Sequence, residues 1–302
     1  MIPIRAGRSG QFSRVKRFPG WSAFLGIALA VWSAPAFAEA VDLELVLATD
    51  NSQSIDSAEA ALQRQGVAAA FRSPEVVRAI QSGSLGRIGV AYLDWSSAPY
   101  TRIAVNWRVI KDKASADAFA DALLKAPPGF GRGTAIGEAI ALAAQLIETN
   151  DLEGTRRAID VSGDGPNNTG RPVAQVRDEL VARGFVINGL PIVTDEYGTG
   201  EWGAYYGELD KYYMNCVIGG RAAFALPAKG FQEFAVAIRR KLVLEISEAL
   251  PRTPAIRAPI VKVAAVPSSP SDNPLRRAPG ANQPSSTQSC GGAGRLRGFG
   301  RF

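Results

Sequence analysis

Leu43-Glu44-Leu45-Val46-Leu47-Ala48-Thr49-Asp50-Asn51-Ser52-Gln53-Ser54 joins an apolar run of strand length to a turn with oxygen side chains at alternate positions, Asp50, Ser52 and Ser54. The near-continuous hydrophobicity of 43–48 is that of a strand buried on both faces, as in a parallel sheet covered by helices. Taken alone, the turn has a plain meaning. Strand-to-helix loops use Asp and Ser as helix caps, and Ser54 stands just before a helical pattern that starts at Ser57. Its second meaning is a set of hard oxygen ligands for a divalent ion. The choice depends on what the remaining loops carry.

Outward from this stretch, strand and helix patterns alternate. Residues 57–71 place Ala60, Ala61, Val67, Ala68 and Phe71 at helical spacing. A second short helix follows over 73–80, with Ser73 as cap and Pro74 in the first turn. Strands are expected over 87–95 and, past the turn 96–99, over 101–110. Next come helices over 115–124 and 134–147, a strand over 157–162, and a helix over 172–183 closed by Gly184. A strand over 185–193 leads into a Gly- and aromatic-rich loop, 195–207. Residues 219–225 lead into a last short strand, and 231–250 forms a final helix with Phe234, Ile238, Leu242 and Ile246 in line. This alternation predicts an α/β fold, a doubly wound, mostly parallel sheet flanked by helices. In such sheets ligands bind outside the carboxyl ends of the strands.

The two ends do not read as core. Residues 1–20 carry five basic and no acidic side chains, the apolar stretch 21–32 follows, and Ala36-Phe37-Ala38 supplies a small-x-small site. That order predicts a signal peptide over 1–38 for the general export route, and a periplasmic or secreted protein with no transmembrane helix after cleavage. Residues 251–302 are dense in Pro, Ser, Gly and Arg and poor in large apolar side chains, so they are expected to be a disordered basic tail. The domain lies between, over 39–250. Its 21 basic and 27 acidic side chains give a net of −6, although the whole chain is +6. The high isoelectric point therefore does not argue for nucleic acid binding by the folded part. The tail, with eight Lys and Arg against Asp272, is suited to contact with an acidic surface, although solvation is the commoner fate of such a segment.

The chain has no histidine. Ser-His-Asp and Cys-His catalysis are thereby excluded, together with the commonest transition-metal ligand. Two cysteines, Cys216 and Cys290, fit no zinc spacing, and whether they pair is left open by their positions. Any metal here is expected to be a hard cation held by oxygen.

Three loops at the carboxyl ends of predicted strands carry such oxygens. Asp50, Ser52 and Ser54 follow the first, Thr134 stands at the start of the helix of 134–147 behind Gly131-Arg132-Gly133, and Asp164 lies in Gly163-Asp164-Gly165 after the strand of 157–162. Each has a bland reading as a cap or turn residue. In this order, on these elements, the set resembles a von Willebrand factor type A domain with a metal-ion-dependent adhesion site, over about 41–250. The resemblance implies that Ser52 and Ser54 coordinate an ion directly and Thr134 directly or through water, with Asp50 and Asp164 acting mainly through water. It implies Mg²⁺ as the ion, or Mn²⁺ or Ca²⁺, and a protein partner that offers an exposed Asp or Glu to an open position. Asp94-Trp95, Trp107, Gly133–Gly137, Asp160–Asn168 and Cys216–Gly220 are also similar to a secreted bacterial family known as a domain of unknown function. Tyr197, Trp202, Tyr205 and Tyr206 are expected either at the rim of the site or against the sheet edge.

The function expected is an exported, divalent-metal-dependent protein-binding module for adhesion or assembly, and not an enzyme. The alternatives are a metal-dependent hydrolase using Asp50 or Asp164, and an envelope scaffold that binds no metal.

Overall fold

The computed structural model describes residues 38–98, 100–194, 208–247 and 290. The predicted signal segment, the tail apart from Cys290, and the aromatic loop with Tyr197, Trp202, Tyr205 and Tyr206 lie outside the described residues. Among the described residues no helix is long and apolar enough to cross a membrane.

Among the described residues eight strands form: β1 Glu39–Val41, β2 Leu43–Asp50, β3 Ile88–Trp95, β4 Arg102–Ile110, β5 Leu152–Gly154, β6 Arg157–Gly163, β7 Val186–Val193 and β8 Ala228–Lys229. The helices are α1 Ser57–Arg72, α2 Pro74–Gln81, α3 Lys113–Lys125, α4 Ile136–Glu148, α5 Val173–Ala182, α6 Leu209–Tyr212 and α7 Phe234–Ile246. A π-helical turn, Tyr213–Val217, continues α6, and a 3₁₀ turn, Phe231–Glu233, precedes α7.

The main sheet runs β4-β3-β2-β6-β7-β8. All its pairings are parallel except β3 with the edge strand β4. Counting only its own strands in chain order, this is the 3-2-1-4-5-6 order of the doubly wound fold, with the reversal between β2 and β6. The expected α/β class, a doubly wound and mostly parallel sheet flanked by helices, is the one observed.

Every residue of β2 is buried. Because successive side chains point to opposite faces, the strand serves two cores at once. Leu43, Leu45 and Leu47 pack with Phe71, Phe119, Phe234 and Leu242 under α1, α3 and α7. Val46 and Ala48 pack with Ile136, Ile140, Val176 and Tyr213 under α4, α5 and the π turn. Each large apolar side chain buried in this way contributes about 1.5–3 kcal/mol. α7 sits close on α1 because residue 66 is glycine, where a Cβ would lie 2.8 Å from Phe234 Cδ1.

Local chemistry sets the helix ends, with some departures from the expected ones. α2 starts as expected, with Ser73 Oγ accepting from the Val76 amide and Pro74 in the first turn. α1 is capped by Asp56, not by Ser54: Asp56 Oδ1 accepts from Ala58 N and Glu59 N, and Glu59 Oε2 accepts from the Asp56 amide. Ser54 is thereby released from a capping role. α4 starts at Ile136 without a side-chain cap, so Thr134 is not its cap either. The parallel pair of β1 and β5 and the helical segment 209–217 do not figure in the sequence reading.

Candidate metal centre

The carboxyl ends of β2 and β6 meet at the reversal of the sheet, where doubly wound folds bind their ligands. Asp50 is the last residue of β2 and wholly buried. Its Oδ1 accepts from the Ser52 amide at 2.7 Å, which folds the turn back over the strand end. Ser52 Oγ and Ser54 Oγ are 3.1 Å apart, and Ser54 Oγ donates to Asp164 Oδ1 at 2.9 Å. Since Ser54 spends its only proton on Asp164, Ser52 is the donor between the two serines. The chain Asp50–Ser52–Ser54–Asp164 thus spans both strand ends, with Ser54 at the surface and the other three buried.

Thr134 stands on the neighbouring loop and is tied to the one that follows Asp164. Its amide donates to Asn168 Oδ1 at 2.8 Å, and Asn168 Nδ2 donates to Thr134 Oγ1 at 3.4 Å. Asn167 holds the same loop to α4 by accepting from the Gly137 amide at 3.0 Å. Gly133, at φ +72°, turns the chain into this position in a region that favours glycine. Of the five residues singled out in the sequence, four are joined by hydrogen bonds and the fifth is positioned through Asn168.

The electrostatics separate this site from the other buried acids among the described residues. Asp94 is paired with Arg64 at 2.6 Å and Arg102 at 2.9 Å, and also accepts from Asn51 Nδ2 at 2.7 Å. Asp160 faces Lys241 at 2.6 Å. Asp42 accepts from the Leu85 and Arg87 amides, and Glu44 from Asn150 and the Gly154 amide. Asp50 and Asp164 have no basic partner among the described residues. Burial, then the charge of Asp164, pushes the Asp50 carboxyl well above the usual carboxylate range. Burial also raises Asp164, with Glu59 adding to the effect, against the bond from Ser54. Asp50 Oδ2 is buried without a hydrogen-bond partner among the described residues.

Two buried carboxylates short of positive charge, with hydroxyls strung between them, suit a hard divalent cation. Among the described residues no three His, Cys, Asp or Glu converge on a metal position, so an ion here relies on hydroxyls and water beyond the two carboxylates. The residue types therefore fit the group expected from the sequence. Asn51, Asn168, Glu59 and Tyr213 shape the site without having been singled out as ligands. Asn168 had a signal, since it belongs to the stretch after Asp164, whereas Tyr213 had none.

The family described as "Protein of unknown function (DUF1194)" matches residues 40–250. No curated protein matches the chain. Among solved structures, the chain is similar to proximal thread matrix protein 1 from the mussel byssus with a zinc-occupied MIDAS motif, at 16% identity and a TM-score of 0.47, over 69% of this chain and 47% of that one. It is also similar to the pilus adhesin SpaC from Lactobacillus rhamnosus GG, at 14% identity and a TM-score of 0.49, over 70% and 31%. A von Willebrand factor type A structure from Catenulispora acidiphila matches at 14% identity and a TM-score of 0.46, over 68% and 43%. The chain spans less than half the length of each of these three.

Proposed function

The chain belongs to the DUF1194 family of proteins of unknown function, and on that premise we propose that it is a divalent-metal-dependent protein-binding module, exported to the periplasm or beyond. The observation that carries this reading is that, among the described residues, Asp50 and Asp164 stand among serine hydroxyls with no basic partner, where the other buried acids have a cation or several N–H donors. Ser52, Ser54 and Thr134 would hold the ion, and Asp50 and Asp164 would neutralise it, largely through water. Mg²⁺ suits such a set because it keeps several of its waters, and Mn²⁺ or Ca²⁺ are the other candidates. A bound ion supplies an electrophilic position that an exposed Asp or Glu of a partner protein fills. The protein's own part is to orient the oxygens and to keep the two carboxylates buried beneath the hydroxyls.

The same residues support a nonenzymatic role. There is no histidine, and the side chain of Asp50 is wholly buried, out of reach of a substrate. Export rests on the first 38 residues. Calorimetric titration of the chain with Mg²⁺ tests the centre, comparing wild type with Asp50→Ala and Ser52→Ala. Binding by wild type and its loss in both variants is expected, and equal heats in all three proteins defeat the reading. At about 100 times its dissociation constant the ion should stabilise the fold by about 2.7 kcal/mol. The scaffold alternative expects no such gain. Metal-dependent turnover of a phosphoester or glycoside, abolished by Asp164→Asn, would favour the hydrolase alternative.

A further inference from the structure

Tyr213 opens the π-helical turn that follows α6, and its ring is wholly buried between the sheet and α5. Two glycines make its space. A Cβ on Gly189 of β7 would lie 2.6 Å from Tyr213 Cδ1, and a Cβ on Gly163 of β6 would lie 3.0 Å from the Tyr213 hydroxyl. That same position beside Gly163 is 2.9 Å from Asp50 Oδ2. The phenol and the outer oxygen of Asp50 thus face one small polar space, which any side chain at residue 163 would fill. Neither oxygen has a hydrogen-bond partner among the described residues, and both are fully buried.

A buried tyrosine hydroxyl ordinarily finds a partner, and leaving one unpaired is costly. Two such groups facing the same space are complementary. The phenol can donate and the carboxylate oxygen can only accept when ionised. Asp50 Oδ1 is already fixed by the Ser52 amide, so the orientation of the carboxylate is completed only when Oδ2 is held as well. π-Helical turns are rare and are found frequently at functional sites. Here the turn aims Tyr213 at Asp50.

We propose that Tyr213 is a positioning residue of the metal centre, whose hydroxyl donates to Asp50 Oδ2, directly or through one water, and so holds the carboxylate in the orientation that receives the ion. This role rests on the metal-binding reading. It concerns how the site is made ready for the ion and assigns Tyr213 no contact with the partner. Partners of this outer kind typically change metal affinity by about 10- to 100-fold when removed.

The test is a Mn²⁺ titration of the whole chain by calorimetry, with wild type, Tyr213→Phe and Tyr92→Phe compared. Tyr92 is a comparably buried phenol without a hydroxyl partner among the described residues, on the other side of the sheet. Tyr213→Phe is expected to weaken Mn²⁺ binding by about tenfold or more at unchanged stoichiometry, while Tyr92→Phe stays within about twofold of wild type. A near-ultraviolet tyrosine difference band on metal addition, present in wild type and Tyr92→Phe but lost in Tyr213→Phe, is the second readout, and a purely structural tyrosine would not produce it. If Tyr213→Phe does not fold, Gly163→Ala replaces it, since its methyl group fills the shared space and is expected to weaken binding to a similar extent. Equal affinity of wild type and the folded variant overturns the role of Tyr213 and leaves the centre standing. A wild-type chain that takes up no Mn²⁺ overturns the centre and the role of Tyr213 together.

Discussion

Lys241 on α7 is wholly buried, and replacing it with Met tests how the last helix is fastened to the sheet. Its ammonium lies 2.6 Å from Asp160 Oδ2 on β6 and 3.2 Å from Glu245 Oε2 one turn further along α7. Glu245 Oε1 also accepts from Asn188 Nδ2 at 2.6 Å, and Asn188 Oδ1 accepts from the Phe224 amide at 3.0 Å. One cation thus serves two buried carboxyls. Burial pushes Asp160 up to about 7 from 3.8, against the pull of Lys241 and with the help of Glu245. Lys241→Met keeps the bulk of the stem and removes the charge. Breaking a buried pair in this way costs about 3–5 kcal/mol. At about 2–4 °C per kcal/mol for a domain of this size, the midpoint should fall by roughly 6–20 °C.

The pH dependence has a definite sign. A carboxyl whose pKa is raised on folding holds its proton longer in the folded state, so its stability contribution is complete below about pH 4 and is lost as pH rises through 7. Without the ammonium the Asp160 carboxyl titrates higher still, and the variant's deficit grows from pH 5 to pH 8. Thermal melts followed by circular dichroism at those two pH values measure it. Exchanging all three groups for apolar ones, Lys241→Met with Asp160→Leu and Glu245→Leu, should restore most of the loss, because the desolvation cost disappears along with the attraction. A loss at pH 8 below about 1 kcal/mol, or an equal loss at both pH values, refutes the assignment of the cluster as a buried charge network.

Three other perturbations have equally definite outcomes. Gly137→Ala puts a Cβ 2.4 Å from the Arg171 carbonyl oxygen, a backbone atom; urea denaturation should show a loss of about 1–3 kcal/mol, and Mg²⁺ should raise the melting temperature less, because α4 moves away from the loop that holds Thr134. Arg64→Ala leaves Asp94 with Arg102 and frees the Leu123 and Ala126 carbonyls, so the urea midpoint should report a loss of about 3–5 kcal/mol, of which Arg64→Lys recovers only part. Cys216 and Cys290 form a disulfide across 74 residues; its reduction should lower stability by about 2–4 kcal/mol, as seen by comparing melts with and without a thiol reductant.

Much of the cluster of Asp50, Ser52, Ser54 and Asp164 was legible in the sequence because its parts are local. An apolar run that ends in alternating Asp50, Ser52 and Ser54 marks both a doubly buried strand and a turn. Gly163-Asp164-Gly165 does the same after β6. The strand and helix periods then place both turns at one edge of the sheet. Other features were not legible. The three-residue strands β1 and β5 are too short to show a period. Lys241 and Asp160 interrupt apolar patterns that read as ordinary core, and their pairing depends on how α7 lies across the sheet. Ser54 and Asp56 are both good caps, and only the backbone at the start of α1 chooses Asp56.

The sequence by itself determined the order of the elements, the class of the fold and the oxygen character of the site, because hydrophobic period and residue chemistry act over a few neighbouring positions. Tertiary structure decided that Asp50 and Asp164 are buried together with no basic partner among the described residues, that Cys216 meets Cys290, and that Tyr213 faces Asp50 across Gly163. Those facts depend on distances between residues 74 to 163 positions apart in the chain, and side-chain charge and burial become interactions only when packing brings such residues within a few ångströms.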